Sequence, residues 1–304
     1  MRLALLFSGQ GGQRPEHWQQ VQAGVAGELG EVLSRVLPDI ANPTVAVDPE
    51  KLAKNSVAQP LIFAQQMLLW GRLQARLPNP ICAAGYSLGE MAACSAAGAF
   101  TAVDGVTLCA ERAAAMDAAV AGEHGMLAVL GLDESLVAAL AAEAGLAVAI
   151  RNAPRHVVVA GPLAGIAAVA GKFAAAGANR LVHLPVRTPS HTPLLSTAAV
   201  DLKKRLDLLP DRCLSFPVLS AIDATVARTA RPALAALARQ ICSPLDWAAC
   251  LQAVVEMQPD AVLEIGPGNA LSRLFGELAP GIPARACDDF RSIDGIVAWI
   301  HSAC

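Results

Sequence analysis

Short apolar runs alternate with longer alanine-rich segments along this chain. Leu3–Phe7, Ile81–Ala84, Val218–Ser220 and Ala261–Ile265 have the length and hydrophobicity of buried strands. Asn55–Gln74, between the first two runs, has the length of a long helix. Buried strands that alternate with helices predict a mainly parallel sheet covered by helices, and we assign it to a large α/β-hydrolase-like domain.

The middle of the chain follows a different order. Strand and helix patterns alternate there as Gly125–Gly131, Glu134–Ala144, Ala147–Ile150, His156–Ala160, Gly165–Ala176 and Arg180–Pro185. The resulting order, βαββαβ, is typical of a split βαβ or ferredoxin-like unit. We therefore predict a large domain formed by residues 1–122 and 190–304, with a small ferredoxin-like subdomain inserted at residues 123–189.

Hydrophobic residues make up 54% of the 304 residues and charged residues only 16%. This balance favours helices that pack closely on a buried sheet. The uncharged stretch Val157–Gly171 is broken by Gly161-Pro162 and Gly165, so it does not predict a membrane span. The apolar segment at Met1–Phe7 is too short for a signal peptide, and we expect a cytoplasmic protein.

Charge, cysteine and histidine patterns exclude several classes of function. A net charge of −3 argues against nucleic-acid binding. The sequence has neither a C-x-x-C nor an H-x-x-x-H spacing, so we expect no metal and no cofactor. Buried free thiols in a reducing compartment are the expected state of Cys82, Cys94, Cys109, Cys213, Cys242, Cys250, Cys287 and Cys304.

A serine lies between two glycines in Gly85-Tyr86-Ser87-Leu88-Gly89. The apolar run Ile81–Ala84 precedes it, and the helix-prone segment Glu90–Cys94 follows. Strand, sharp turn and helix in this order are typical of a nucleophile elbow, which lifts a serine Oγ clear of its own backbone. The motif alone also fits an ordinary strand-to-helix turn.

A serine hydroxyl needs a base, and acyl transfer needs donors for an oxyanion. His191 is the best-placed histidine because it lies where the chain returns from the small subdomain, although a structural or surface histidine is the alternative. The backbone N–H of Leu88 is one candidate donor, and that of Gln10, in the glycine loop after the first strand, is the other. This loop is not a dinucleotide fingerprint, because Arg14 stands where the last glycine is required.

Five motifs in order resemble those of malonyl-CoA:acyl carrier protein transacylases and polyketide synthase acyltransferase domains. Phe7–Gln13 looks like the F-P-G-Q-G-[SA]-Q opening, and Gly85–Glu90 resembles the G-H-S-x-G-E elbow. The later matches are Ser190-His191, Ser243–Trp247 and Glu264–Gly268. The resemblance covers residues 7 to 268, which is nearly the whole chain.

The resemblance implies a role for each matching residue of the catalytic machinery. Ser87 is the acylated nucleophile and His191 the general base. Gln10 and Leu88 donate backbone N–H groups to the oxyanion. Gln240 aligns with the residue whose main-chain carbonyl orients the histidine, so no triad aspartate is required.

The resemblance also implies how the substrate is held. Arg112 matches the arginine that pairs with the free carboxylate of a malonyl group, while Gln59 and Asn152 are expected to line the site. Tyr86 stands where the family has histidine, beside the acyl pocket, and Ser8 stands where it has proline. The choice among malonyl, methylmalonyl and related groups therefore depends on Tyr86, with malonyl preferred here.

The implied function is transfer of malonyl from malonyl-CoA to the phosphopantetheine thiol of an acyl carrier protein, through a malonyl-serine intermediate. A serine hydrolase or thioesterase and a non-catalytic docking subunit are alternatives. Fatty-acid synthesis, polyketide synthesis and malonate decarboxylation all fit as pathways. We expect a monomer or part of a multienzyme complex, without nucleic-acid or membrane partners; Lys203-Lys204-Arg205 is a carrier-docking patch or a solvated helix face.

Overall fold

The computed structural model describes residues 1–42, 44–45 and 47–303, and this part of the chain forms two sheets. The strands are β1 (Leu3–Phe7), β2 (Pro80–Gly85), β3 (His124–Leu130), β4 (Ala147–Ala153), β5 (His156–Pro162), β6 (Arg180–His183), β7 (Cys213–Leu219), β8 (Val226–Thr229), β9 (Leu245–Asp246), β10 (Ala261–Ile265) and β11 (Ala284–Ala286).

Helices connect and cover these strands. They are α1 (Pro15–Gly24), α2 (Gly27–Val36), α3 (Pro49–Ala53), α4 (Asn55–Leu73), α5 (Gly89–Ala96), α6 (Ala102–Ala118), α7 (Glu134–Glu143), α8 (Leu163–Ala175), α9 (Ser196–Leu206), α10 (Ala230–Arg239), α11 (Trp247–Glu256), α12 (Ala270–Leu278) and α13 (Ile293–Ser302).

The larger sheet has the order β11-β10-β1-β2-β7-β8 within the described residues. Its neighbours run parallel except for β8, which runs antiparallel to β7. Leu5 of β1 lies opposite Ala83 on one side and Leu263 on the other. Because β1 and β2 are parallel neighbours, the loops that follow them meet at the same edge of the sheet.

Alternate residues of β1 belong to two hydrophobic cores, one on each face of the larger sheet. Leu3, Leu5 and Phe7 pack with residues of α4, α5 and α6. Ala4 and Leu6 belong to the second core, which includes the inner face of the smaller sheet. The larger sheet is therefore covered on both faces, as its continuous apolar strands predict.

The smaller sheet has the order β6-β3-β5-β4-β9. The strands β3 to β6 pair antiparallel, whereas β9 joins β4 in a parallel pairing, with Ile150 opposite Leu245. Its outer face packs against α7 and α8 through a third core that includes Val129 and Phe173. A segment from beyond residue 190 thus completes this sheet, which the sequence pattern did not predict.

Most predicted elements are present with small changes at their ends. The long helix ends at Leu73 rather than Gln74, and the strand from Arg180 ends at His183 rather than Pro185. β7 begins at Cys213, five residues before the predicted start at Val218. Its first residues are partly exposed, so hydrophobic continuity did not reveal them.

The cysteines among the described residues are free thiols, and Cys82, Cys94, Cys109, Cys250 and Cys287 are buried as expected. Cys213 is exposed, which corrects the prediction of burial, and Cys242 is half-buried. Cys304 lies outside the described residues.

The described residues lack both a helix suited to a membrane and a cluster of metal-ligating side chains. No helix there is both long enough and apolar enough to pass through a membrane. The same residues contain no cluster of three or more His, Cys, Asp or Glu side chains arranged to hold a metal ion.

Candidate active site

Ser87 occupies a sharp turn between β2 and α5, with a φ of 53°. A Cβ on Gly85 would lie 2.1 Å from the backbone nitrogen of Glu90, and one on Gly89 would lie 2.0 Å from the carbonyl oxygen of Phe7. Neither position can hold a side chain without moving backbone, so both glycines are required. This is the strand-turn-helix geometry of a nucleophile elbow.

His191 lies within hydrogen-bond distance of the serine. Its Nε2 is 2.8 Å from Ser87 Oγ, and its Nδ1 is 2.5 Å from the main-chain oxygen of Gln240. A carbonyl oxygen can only accept, so Nδ1 carries the proton and Nε2 accepts from the serine hydroxyl. The backbone N–H of His191 also donates to the carbonyl of Ile241, at 2.9 Å, which fixes the residue from the same segment.

The electrostatic surroundings keep this imidazole neutral. Burial lowers the pKa of His191 to about 3; the hydrogen bond to Gln240 opposes that change, and the charge of Arg112 reinforces it. A neutral imidazole can take a proton from serine, which is the requirement for a general base.

The glycine loop after β1 lies against the elbow. A Cβ on Gly9 would be 2.6 Å from the carbonyl oxygen of Tyr86. Within the described residues, the backbone N–H groups of Gln10 and Leu88 donate to no protein acceptor, whereas the Gln10 side chain donates to Asn55 Oδ1 at 3.0 Å. Two unpaired N–H groups on adjoining turns are what an oxyanion hole requires.

Arg112 is a buried cation on α6, with 1% of its surface exposed. Its Nη1 donates to Gln59 Oε1 at 2.8 Å, while its Nη2 has no hydrogen-bond partner in the described part of the chain. Burial lowers the pKa of the guanidinium to about 10, so the group is charged at neutral pH. A buried guanidinium with a free donor is costly unless an anion binds there.

Tyr86 points away from the dyad toward the smaller sheet. Its hydroxyl donates to Asn152 Oδ1 at 3.0 Å, and its ring contacts Trp247 edge-on, with centroids 5.3 Å apart. Asn152 Nδ2 lies 3.3 Å from His156 Nε2. Tyr86, Asn152 and His156 border a cavity of about 330 Å³ between the two sheets, which the glycine loop also lines.

The residues expected from the sequence therefore form connected groups. Ser87, His191 and Gln240 are hydrogen-bonded in series, and Gln59 contacts Arg112. Asn152 contacts Tyr86 rather than the dyad.

Sequence reasoning missed a polar group that supports the glycine loop. Asn55 Nδ2 donates to Asp117 Oδ1 and to Thr188 Oγ1, each at 2.6 Å, and Asn55 Oδ1 accepts from Gln10. A polar residue at the start of a buried helix was the one available signal, since these partners are far apart in sequence.

Comparisons with known proteins identify similar sequences and folds. A family model described as an acyl transferase domain matches residues 17–276. The malonyl CoA-acyl carrier protein transacylase of Mycobacterium bovis is 31% identical over 299 residues, which cover 96% of this chain and 98% of that relative.

Two solved structures extend the likeness to the fold. An acyl-carrier-protein S-malonyltransferase from Burkholderia pseudomallei is 31% identical, with a TM-score of 0.85 over 98% of this chain and 100% of that one. A malonyl-transacylase in complex with its type II polyketide synthase acyl-carrier protein is 27% identical, with a TM-score of 0.87 over 98% of this chain and 99% of that one. Because the family model matches well over half of its residues, this chain belongs to the acyl transferase domain family.

Proposed function

We propose that this protein transfers a malonyl group from malonyl-CoA to the phosphopantetheine thiol of an acyl carrier protein. The observation that carries the proposal is the buried guanidinium of Arg112, which has an unpaired donor and lies close enough to depress the pKa of His191. A serine-histidine pair accounts for acyl transfer, and the buried cation accounts for an acyl group that ends in a carboxylate. The similar transacylases support the same activity.

The first half-reaction loads the serine. His191 Nε2 takes the proton of Ser87 as Oγ attacks the thioester carbonyl of malonyl-CoA. The backbone N–H groups of Gln10 and Leu88 stabilise the tetrahedral oxyanion, each worth roughly 10²–10³-fold in rate. The carbon–sulfur bond then breaks, and the CoA sulfur leaves with the proton from His191.

The second half-reaction unloads it. The carrier thiol gives its proton to His191 and attacks the ester carbonyl, and the same donors stabilise the second oxyanion. Collapse returns the proton to Ser87 Oγ and leaves the malonyl thioester on the carrier. The carbonyl of Gln240 keeps Nδ1 protonated throughout, so one nitrogen handles the proton in both halves.

Substrate selection follows from charge. The free carboxylate of malonyl pairs with Arg112, whose other nitrogen is held by Gln59. An acetyl group leaves that cation unpaired. Tyr86 and Asn152 border the cavity that the glycine loop also lines, and Tyr86, which precedes the nucleophile in the chain, limits the size of a branched acyl group.

We propose the finer description of the fold as well: an α/β-hydrolase-like domain of residues 1–122 and 190–304, with a ferredoxin-like subdomain at 123–189. The mainly parallel larger sheet and the antiparallel order β6-β3-β5-β4 support it. We also propose that the protein acts in the cytoplasm, where thiols such as Cys213 stay reduced.

A hydrolase is the weaker candidate. The partner of His191 Nδ1 is a main-chain carbonyl rather than a carboxylate, and a hydrolase has no use for a carboxylate-binding Arg112. The similar proteins are named as a transacylase and an S-malonyltransferase.

The test is to incubate the protein with labelled malonyl-CoA, with and without a carrier protein bearing phosphopantetheine. We expect a malonyl adduct on Ser87 by intact mass, and labelled carrier only when both proteins are present. Ser87→Ala is the control and gives neither product. Sustained CoA release without carrier, with no label on the carrier, would show a hydrolase instead.

A further inference from the structure

Gln240 contacts the dyad through both its main chain and its side chain. Its carbonyl oxygen accepts from His191 Nδ1. Its side-chain Nε2 donates to the main-chain oxygen of Ser87 at 3.1 Å and to Glu90 Oε2 at 2.9 Å. The residue that orients the base is therefore also tied to the segment that carries the nucleophile.

Glu90 anchors this connection from inside the protein. It lies in the first turn of α5, directly after the elbow, and is 1% exposed. The same Oε2 also accepts from the backbone N–H of Ala221 at 3.2 Å. One buried carboxyl group thus joins α5, the end of α10 and the segment after β7.

We infer that Glu90 is a positioning residue: its carboxyl group holds the Gln240 side chain so that the Gln240 carbonyl keeps His191 aligned on Ser87. The inference rests on the proposed function in taking this serine and histidine as the reacting pair. Glu90 itself contacts neither of their reacting atoms.

The hydrogen-bond count explains why the carboxyl group is needed. Both hydrogens of the Gln240 amide have acceptors, Ser87 O and Glu90 Oε2. Removing the second acceptor leaves a buried N–H unpaired, which is unfavourable. Movement of the side chain toward another acceptor then lowers the free energy of the protein. Gln240 follows the last residue of α10, where the backbone is less constrained than inside a helix, so loss of the side-chain anchor allows the carbonyl that His191 requires to shift.

An amide can replace this carboxyl group. Burial raises the pKa of Glu90 to about 8, so its neutral form is favoured and its role is that of an oxygen acceptor. Glu90→Gln keeps such an oxygen at the same distance along the side chain, whereas Glu90→Ala removes it. Comparison of these two variants distinguishes the effect of losing the hydrogen bond from the effect of losing the charge.

The test compares Glu90→Ala and Glu90→Gln in malonyl transfer and in labelling by a fluorophosphonate that reacts with activated serines. We expect Glu90→Ala to lower kcat and the labelling rate about 10–100-fold, because small displacements of a catalytic pair are this costly. Its KM for malonyl-CoA stays unchanged, since Arg112 is untouched. Glu90→Gln restores most of both rates.

Gln240→Leu provides a second route in case Glu90→Ala does not fold. It keeps the main-chain carbonyl but removes the side-chain link, so it should lower kcat and the labelling rate by a similar factor. Both single variants break the hydrogen bond between Glu90 and Gln240, so the double variant should be no slower than the slower of the two single variants. Full labelling in Gln240→Leu, additive losses, or equal losses in Glu90→Ala and Glu90→Gln would overturn the inference.

Fluorophosphonate labelling needs neither malonyl-CoA nor a carrier. If the wild-type chain transfers no malonyl but shows this labelling pattern, the proposed function fails and the positioning role stands. If the wild-type chain transfers malonyl normally and the labelling rate does not change in the Glu90 variants, only the positioning role fails.

Discussion

At the scale of single residues, the two members of the dyad share an unusual backbone conformation. Ser87 has a φ of 53° and His191 a φ of 64°, in the left-handed region that residues with side chains rarely adopt. Such strain persists only where the surroundings enforce it, and it concentrates at functional sites. Both residues are held by main-chain hydrogen bonds, from Glu90 N to Ser87 O and from His191 N to Ile241 O.

Arg112→Ala should separate dicarboxylic from simple acyl substrates. We expect transfer from malonyl-CoA to fall roughly 10²–10⁴-fold, the value of two hydrogen bonds to a charged group at about 1.5–3 kcal/mol each, while transfer from acetyl-CoA changes little. Steady-state kcat/KM with the two thioesters measures the difference. Equal losses with both would remove Arg112 from carboxylate recognition.

The pH profile of kcat/KM should show no decline caused by protonation of the catalytic histidine in mildly acidic solution. Because the pKa of His191 is lowered to about 3, the base is already neutral throughout the mildly acidic range. We expect kcat/KM for malonyl-CoA to stay flat between about pH 5 and pH 7.5, since this constant reports ionisations of the free enzyme and free substrate. A fall in kcat/KM below an apparent pKa near 6.5 would contradict a buried, neutral His191.

Motifs predicted the residues that lie in short local patterns, and missed those that depend on the fold. Ser87 lies within a turn that its own neighbours define. The link between Glu90 and Gln240 joins positions 150 residues apart, so no spacing reveals it. The bond from Tyr86 to Asn152 is equally non-local, although both residues were expected near the site.

At the scale of elements, the junction of β1, β2 and α5 is the most tightly constrained part of the molecule. Gly89→Ala should be severely destabilising, because its Cβ would lie 2.0 Å from a main-chain oxygen of the central strand. Overpacking of a flexible core site costs about 1–3 kcal/mol, and here the obstacle is backbone. Urea unfolding measures the loss.

A matched control lies in α4. Gly71 is exposed and helical, and a Cβ there meets nothing within 4 Å. Gly71→Ala should therefore stabilise the protein by about 0.5–1 kcal/mol, the difference in helix propensity. Similar stability of the two variants would mean that the elbow is looser than this packing indicates.

Elements were predictable in proportion to their length and hydrophobicity. β1 and β10 match the predicted bounds because β1 is a continuous apolar run and β10 is interrupted only by the buried Glu264. β9 has two residues, and Leu245 becomes a strand residue only because β4 is there to pair with it. Tertiary contact, rather than local pattern, creates such a strand.

At the scale of the whole molecule, buried carboxyl groups make stability depend on pH. Burial raises the pKa of Glu90 to about 8 and that of Glu264 to about 7. As pH rises above 4.5, the ordinary value for glutamate, the unfolded chain loses these protons while the folded chain keeps them. Each group therefore favours folding at low pH, and its contribution is lost as pH rises through the folded pKa.

Glu90→Gln should remove one of these dependences. Glutamine does not titrate, so the Tm of the variant should gain on that of the wild type by at least about 2 °C between pH 5 and pH 8. Thermal unfolding at several pH values measures the gap, and Glu264 cancels because both proteins retain it. A gap that stays constant across this range would show that Glu90 is ionised in the folded state.

The pairing of β1 with β10 has a consequence for folding while the chain is being synthesised. β1 is synthesised long before β10, yet one of its two edges is paired by residues 261–265 of β10. Until the ribosome has made that distant segment, an apolar strand edge stays open to other chains. We therefore expect chaperones to bind the nascent chain during translation, and this binding should fall sharply once β10 emerges from the ribosome.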